Sequence, residues 1–209
     1  LKTDTPPVLV GIMGGSCSGK TTFARALAEQ IADLHPITLN QDGYFQDWSV
    51  YPDDERERLR TANHPDAVNW AALLAHVRAL AAREEILTPA DNTGAAARGR
   101  PKETVRPSDV VIVEGHLIYS NEELRDLMTL KLFLDVDAHE RVLRRMMRDV
   151  GRNGDLEKAV AWYRRDVIPN YSTHTEPCRK YADMIVPYFH DNKLAVRLVA
   201  TGVRDLVEG

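Results

Sequence analysis

Apolar and polar positions along this 209-residue chain follow two alternating rhythms. Strand-like runs rich in apolar residues fall at residues 9–13, 37–40, 110–114, 131–136 and 184–187. Between and after them apolar residues recur every three or four positions. That spacing predicts helices over 22–32, 69–83, 122–127, 138–149, 156–171 and 194–207. In the second of these, Trp70, Leu73, Leu74, Val77 and Leu80 share one stripe, a core-facing surface that carries no chemistry. Strands alternating with helices imply an α/β fold: a mainly parallel five-stranded sheet flanked by helices. Ligands of such sheets lie beyond the carboxyl ends of the strands, so the residues just after each strand are the ones to inspect. Residues 88–103, rich in Ala, Gly, Pro and Arg, predict a surface loop or irregular hairpin.

The first strand runs into Gly14-Gly15-Ser16-Cys17-Ser18-Gly19-Lys20-Thr21, a full G-x-x-x-x-G-K-S/T phosphate loop, with Thr22 opening the helix behind it. Strand, glycine loop and helix in that order give the pattern its meaning. Backbone N–H groups of such a loop converge on phosphate oxygens, and the helix N-terminus adds partial positive charge. Lys20 is placed to reach the β- and γ-phosphates and the Thr21 hydroxyl to hold Mg²⁺. The expectation is a chain that binds ATP with Mg²⁺.

Composition narrows the class. Hydrophobic residues make up 44% and charged residues 28%, the balance of a globular protein in water, and the length suits one kinase-sized domain over 1–209. No apolar run approaches a membrane span, and a formal net charge of −4 argues against nucleic acid as the main partner. Residues 1–7 lack the apolar core of a secretory signal and read as a loose leader. The two cysteines, Cys17 and Cys178, are far apart in sequence and one is inside the phosphate loop, which fits a reducing cytoplasm better than a disulfide. No H-E-x-x-H or Cys/His cluster is present, so the metal expected is the one that accompanies the nucleotide.

Strand ends supply the next candidates. Asp42, after the second strand, stands where a carboxylate can accept the proton of an attacking hydroxyl, although Asp-Gly is also a common turn pair. Glu114, closing the third strand, occupies the position of a carboxylate that assists Mg²⁺; His116 beside it reads as structural. Arg141, Arg144, Arg145 and Arg148 recur on one face of the fourth long helix, and Arg152 follows in the Gly151-Arg152-Asn153-Gly154 connection. A solvated stripe paired with Glu140 and Asp149 is one reading. A mobile arginine-bearing lid over about 148–156, closing on phosphates, is the favoured one.

With these residues in view the chain resembles the uridine kinase family of P-loop kinases, relatives of phosphoribulokinase. The resemblance spans nearly the whole chain. It rests on the phosphate loop, Gln41-Asp42, His64-Pro65-Asp66-Ala67, Val111-Ile112-Val113-Glu114-Gly115, Arg144-Arg145 with Arg148-Asp149, and Lys180-Tyr181-Ala182-Asp183. It implies that Asp42 is the catalytic carboxylate, that Arg145, Arg148 and Arg152 serve with Lys20 in the transfer, and that Glu114 helps with Mg²⁺. Several acceptor-side residues depart from the pattern. The family's pyrimidine-reading tyrosine is replaced by Ala90, followed by Asp91, and no histidine comes after it. The ribose-binding aspartate before His64 is Asn63, a glutamine after the lid is Trp162, and the lid is about one residue shorter. Tyr44, two residues beyond Asp42, completes this acceptor-side set.

The expected activity is phosphoryl transfer from ATP to a hydroxyl of a nucleoside- or sugar-like small molecule; the resemblance favours a pyrimidine nucleoside, and the alternative is a non-pyrimidine acceptor: another nucleoside, a phosphosugar or a vitamin precursor. Transfer machinery is retained and acceptor recognition is altered. A nucleotide-dependent switch is disfavoured: Asn192-Lys193-Leu194-Ala195 resembles a guanine-reading Asn-Lys-x-Asp but lacks its final carboxylate. An idle kinase-derived scaffold is disfavoured by the intact Lys20, Thr21 and Asp42. Homo-oligomerisation is an expectation by analogy alone.

Overall fold

The structure is a computed structural model that describes residues 6–188 and 191–209; residues 1–5 of the expected leader lie outside them. Seven strands are present: β1 (Val8–Gly14), β2 (Ile37–Asn40), β3 (Ile86–Thr88), β4 (Glu103–Val105), β5 (Val110–Gly115), β6 (Leu130–Asp135) and β7 (Met184–Pro187). Five of them form one parallel sheet in the order β2-β5-β1-β6-β7. Its central strands are apolar at nearly every position because both faces are covered. Leu9 and Met13 of β1, Val111 and Val113 of β5, and Phe133 of β6 enter one core. Val8, Val10 and Ile12 of β1, Val110 and Ile112 of β5, and Leu132 and Leu134 of β6 enter the other. That is the two-residue alternation of a pleated strand sorted between two layers.

The first layer is covered by α3 (Trp70–Ala81), whose Leu73, Leu74, Val77 and Leu80 are buried as their spacing predicts, and by α5 (Glu122–Leu127) through Leu124. The second is covered by α1 (Lys20–Gln30), through Phe23 and Leu27, and by α9 (Lys193–Glu208), through Val196, Val199 and Val203. Phe23 also meets the Tyr188 ring edge-on, with centroids 5.4 Å apart. After β1 the chain builds toward β2 on one side, and β6 and β7 lie on the other. The phosphate loop therefore leaves the sheet where its winding reverses, the usual crevice of an open α/β sheet.

Several boundaries differ from expectation for physical reasons. Helix α6 (Ala138–Asn153) runs four residues beyond 149, so Gly151, Arg152 and Asn153 are helical and no flexible connection precedes Gly154. Gly154, at φ 68°, is the left-handed stop. The helix expected over 156–171 is regular only in α7 (Leu156–Trp162). It then widens into a π-turn at Tyr163–Val167, a short α8 (Ile168–Asn170), and a second π-turn at Tyr171–Thr175. Pro169 removes an N–H donor from this stretch, so it cannot keep a continuous i→i−4 ladder. Residues 88–103 are closed off by the antiparallel β3–β4 pair and hold a small turn of helix, α4 (Gly94–Ala97). Besides α4, helix α2 (Asp53–Leu59) was not foreseen; it has three acidic residues in its first turn and an Asp53–Arg56 ion pair one turn apart.

Candidate active site

A cleft of about 510 Å³ opens at the carboxyl ends of β1, β2 and β5. Its floor is the phosphate loop. Gly19 has φ 89°, and a side chain there would strike the Tyr188 ring, at 2.8 Å. At Gly15 a Cβ would meet the Arg141 guanidinium at 2.3 Å, so the loop lies flat against that arginine only because the position is bare. Arg141 is itself fixed: its Nε donates to the Val136 carbonyl at 3.1 Å and its plane stacks on Tyr171 at 4.0 Å. Ser18 is wholly buried under the loop, with its N–H on the Gly15 carbonyl. Lys20 opens α1, and its Nζ donates to that same carbonyl at 3.0 Å. Burial lowers the Lys20 pKa, and Glu114 and Asp42 partly oppose that.

Three polar side chains tie the strand ends together. The Thr21 hydroxyl donates to Glu114 Oε1 at 2.7 Å, and Asn40 Nδ2 donates to the same oxygen at 2.6 Å. Asn40 Oδ1 accepts the Asp42 N–H at 2.7 Å, starting the short helical turn Gln41–Tyr44 that presents Asp42 at the cleft. Asn40 thus couples the two carboxylates, a role that nothing in the chain's periodicity announces. Burial raises the pKa of Glu114, against the opposing pull of Lys20 and the Thr21 bond. Hydroxyl, buried carboxylate and adjacent ammonium form an oxygen-rich set of the kind that suits a hard cation carried in by phosphates. Among the described residues no group of three or more His, Cys, Asp or Glu could hold a metal on its own.

Arg144, Arg145, Arg148 and Arg152 of α6 line the far wall. Arg145 Nη1 donates to the Ser16 hydroxyl at 2.8 Å, and its Nε to Asp149 Oδ2 at 3.0 Å. Arg148 Nε donates to Asp149 Oδ1 at 2.9 Å. Burial works against the Asp149 charge, yet the two arginines hold its pKa below the usual range. The stripe is therefore both paired, through Asp149 and through Glu140 on Arg144, and turned toward the phosphate loop.

The structure gathers Ser16, Cys17, Gly19, Lys20, Thr21, Thr22, Asp42, Asn63, Glu114, Arg145, Arg148 and Arg152 around this one cleft. Other acceptor-side candidates do not line it. Tyr44 is buried in the core, with its hydroxyl 2.9 Å from His76 Nδ1. Ala90 is buried in the same core, and Asp91 pairs with Lys102 on the surface. His64 uses Nδ1 to accept the Asp66 N–H and packs edge-on against His174. Trp162 lies between the Arg60 and Arg165 guanidiniums, at 5.3 and 4.6 Å. Gly14, Gly15 and Ser18 shape the loop from beneath rather than facing the cavity. The Asn192 motif is a helix cap, its Oδ1 taking the Ala195 N–H at 3.0 Å.

Some cleft residues lay outside the candidate set. Phe45 and Ala62 line the acceptor side, where His116 also faces the cavity. His116 Nε2 lies 2.8 Å from the Ala62 carbonyl, and burial, assisted by the Lys20 charge, pushes the imidazole pKa down to about 4. Cys17 and Cys178 are both free thiols. No helix among the described residues is long and apolar enough to cross a membrane.

Comparison with known proteins matches this geometry. The sequence model of the Phosphoribulokinase / Uridine kinase family matches residues 9–195. Uridine kinase of Geobacillus sp. (strain WCH70) is 37% identical over 203 residues, covering 97% of this chain and 96% of its own. Uridine kinase of Ligilactobacillus salivarius (strain UCC118) is 36% identical over 205 residues, covering 98% and 96%. Among solved structures, phosphoribulokinase from Rhodobacter spheroides superposes with a TM-score of 0.64 over 85% of this chain and 68% of its own, at 14% identity, a likeness of fold alone.

Proposed function

We propose that this chain, which belongs to the Phosphoribulokinase / Uridine kinase family and is an ATP-dependent kinase acting on a hydroxyl, takes a nucleoside as acceptor and aligns its primary hydroxyl with Asp42. One observation carries the reading: Lys20, the Thr21–Glu114 pair, Asp42 and the α6 arginines converge on a single cleft. Phosphoryl transfer depends mainly on positioning and on charge placed around the transferred group. Lys20 and the loop N–H groups hold the phosphates. Asp42, exposed at the cleft, orients the acceptor hydroxyl and receives its proton. Arg145, Arg148 and Arg152 meet charge that develops on the departing side.

Thr21 and Glu114 are the groups that would hold Mg²⁺, which when bound neutralises phosphate charge. The end of α6 and its connection, about 148–156, act as the lid that admits nucleotide and then shields it. Residues 88–103 pack behind Phe45, whose carbonyl accepts the Gly94 N–H, and contribute no base-reading side chain to the cleft, since Ala90 is buried and Asp91 is held by Lys102. This favours recognition through the sugar, with weak selectivity for the base.

ADP release measured with uridine, cytidine, adenosine, guanosine and free ribose tests the reading. Turnover of several nucleosides, with kcat/KM values within about tenfold of one another, is expected. Strict preference for uridine and cytidine would refute the weak-selectivity reading. Turnover of ribose with no nucleoside accepted would refute the nucleoside reading. A switch-type role would instead require nucleotide binding with no acceptor-stimulated ADP release.

A further inference from the structure

The acceptor wall is held from behind by one buried carboxylate that the transfer mechanism does not use. Asp166 lies in the π-turn Tyr163–Val167, is 3% exposed, and does not line the cleft. Its Oδ2 accepts the Ala62 N–H at 3.1 Å and Asn63 Nδ2 at 2.6 Å. Its Oδ1 takes the Thr61 hydroxyl and Asn170 Nδ2, the latter at 3.3 Å. Among the described residues it has no ion-pair partner, so four neutral donors carry the full cost of burying it. Burying a carboxylate is costly, and widened helical turns of this kind recur at functional sites.

The fixed geometry is that of residues 61–63. Arg165, one residue earlier, donates to the Glu57 and Arg60 carbonyls at 2.8 and 3.0 Å, and His116 Nε2 reaches the Ala62 carbonyl from the opposite side. Asn63 faces the cleft and is 4% exposed. A carboxylate oxygen already taking a backbone N–H can meet only the donor end of the Asn63 amide. That turns the carbonyl Oδ1 away from Asp166, and no described residue donates to it.

We propose that Asp166 is a positioning residue for the acceptor: it locks the Asn63 amide so that its carbonyl oxygen faces the cleft and accepts a hydroxyl or N–H of a sugar-bearing substrate. The proposal rests on the hydroxyl-acceptor reading above. Asp166 acts through Asn63, so the two effects should not add.

With uridine as the probe, D166N and N63A are each expected to raise the uridine KM about tenfold, with the ATP KM within about twofold of wild type. The double variant should match either single one. A D166N effect that persists in the N63A background, giving about a hundredfold for the pair, overturns the proposal, as does an unchanged uridine KM in D166N. Wild-type inactivity on uridine would remove the acceptor reading alone, because the positioning role also has a readout without turnover. The Asn63 side-chain amide should give a resolved, slowly exchanging ¹⁵N–¹H pair in wild type that moves and exchanges faster in D166N; identical spectra overturn the inference. If D166N does not fold, the reciprocal pair N63D/D166N exchanges donor and acceptor across the same hydrogen bond. It should fold and restore the uridine KM to within about threefold, and failure to do so counts against the proposal.

Discussion

Replacing Asn40 by alanine cuts two bonds at once, and their sizes can be set from the structure. One is the cap on the Asp42 N–H at 2.7 Å, for which loss of an Asn cap costs about 1 kcal/mol. The other is Nδ2 on Glu114 Oε1 at 2.6 Å, where the carboxylate is 2% exposed. A hydrogen bond to a buried charged group contributes about 1.5–3 kcal/mol. Asn40→Ala should therefore lower unfolding free energy by about 2.5–4 kcal/mol, leaving Thr21 as the donor on that oxygen. Freed from its cap, the turn that carries Asp42 no longer holds the carboxylate at one place, and kcat should drop about tenfold or more, since misplacement of a reacting group by an ångström costs up to ~10². Asn40→Asp separates the two roles. It keeps an acceptor for the Asp42 N–H but loses the donor and sets a like charge against Glu114. Urea unfolding gives the first quantity and single-turnover phosphoryl transfer the second. If Asn40→Ala lies within about 0.5 kcal/mol and twofold of wild type, the coupling of the two carboxylates through Asn40 is wrong.

Three other outcomes are expected. Asp42→Asn should reduce kcat by about 10²–10⁴ while ATP affinity by titration calorimetry stays within about twofold; normal turnover would remove the base assignment. Arg145→Ala deletes the bond to Ser16 and one of the two charges on Asp149, so transfer should slow about tenfold or more in rapid-quench assays, with KM for the acceptor changing less. His116 titrates near 4 when folded against 6.5 for the free group, so between those values the unfolded chain binds the extra proton. Stability is full above about pH 6.5 and falls by about 3 kcal/mol as pH drops to about 4; in His116→Gln, which keeps a donor toward Ala62, urea midpoints at pH 5 and 7.5 should converge.

How much of this was legible in the chain depends on the range of the interaction. The central strands β1, β5 and β6 read directly because they are covered on both faces and so are apolar at nearly every position. The phosphate loop read equally well, since its glycines answer to local backbone geometry. Helix α2 did not, because its one large apolar residue is Leu59 and its stability comes from charge order along the turn. The π-turns of 163–175 escaped because hydrophobic spacing cannot distinguish a widened helix from a regular one. Asp166 was invisible for a different reason. Its four partners lie at residues 61–63 and 170, and only the fold brings the first three within reach. Tyr44 shows the converse error, since closeness to Asp42 in sequence suggested the cleft, whereas the helical turn points the ring at His76.

The two sides of the cleft differ in how much substitution their chemistry tolerates. On the phosphate side, charge must converge on one small group, and each ligand is held by a short bond to a neighbour. Lys20 leans on the Gly15 carbonyl, Thr21 on Glu114, Arg145 on Ser16. Moving any of them disturbs the next, so the motif is fixed as a unit. On the acceptor side, neutral donors and acceptors meet hydroxyls, and a carbonyl oxygen can replace a carboxylate oxygen if something else fixes its direction. Here the residue at the cleft, Asn63, is neutral, and the carboxylate behind it is Asp166. Moving the charge away from the acceptor keeps an oxygen facing the cavity while removing a full negative charge from the cleft that Asp42 also lines. A less negative wall relaxes the demand that the substrate bring two well-placed donors. On this logic an enzyme can widen its range of sugar-bearing acceptors without altering a single group that handles the transferred phosphate. The Asn63→Asp single substitution is the sharpest check: with Asp166 still behind it, two carboxylates face one another, and turnover should rise on acidification as one of them takes up a proton. Turnover in Asn63→Asp with the wild-type pH profile would show that the wall does not carry this charge arrangement.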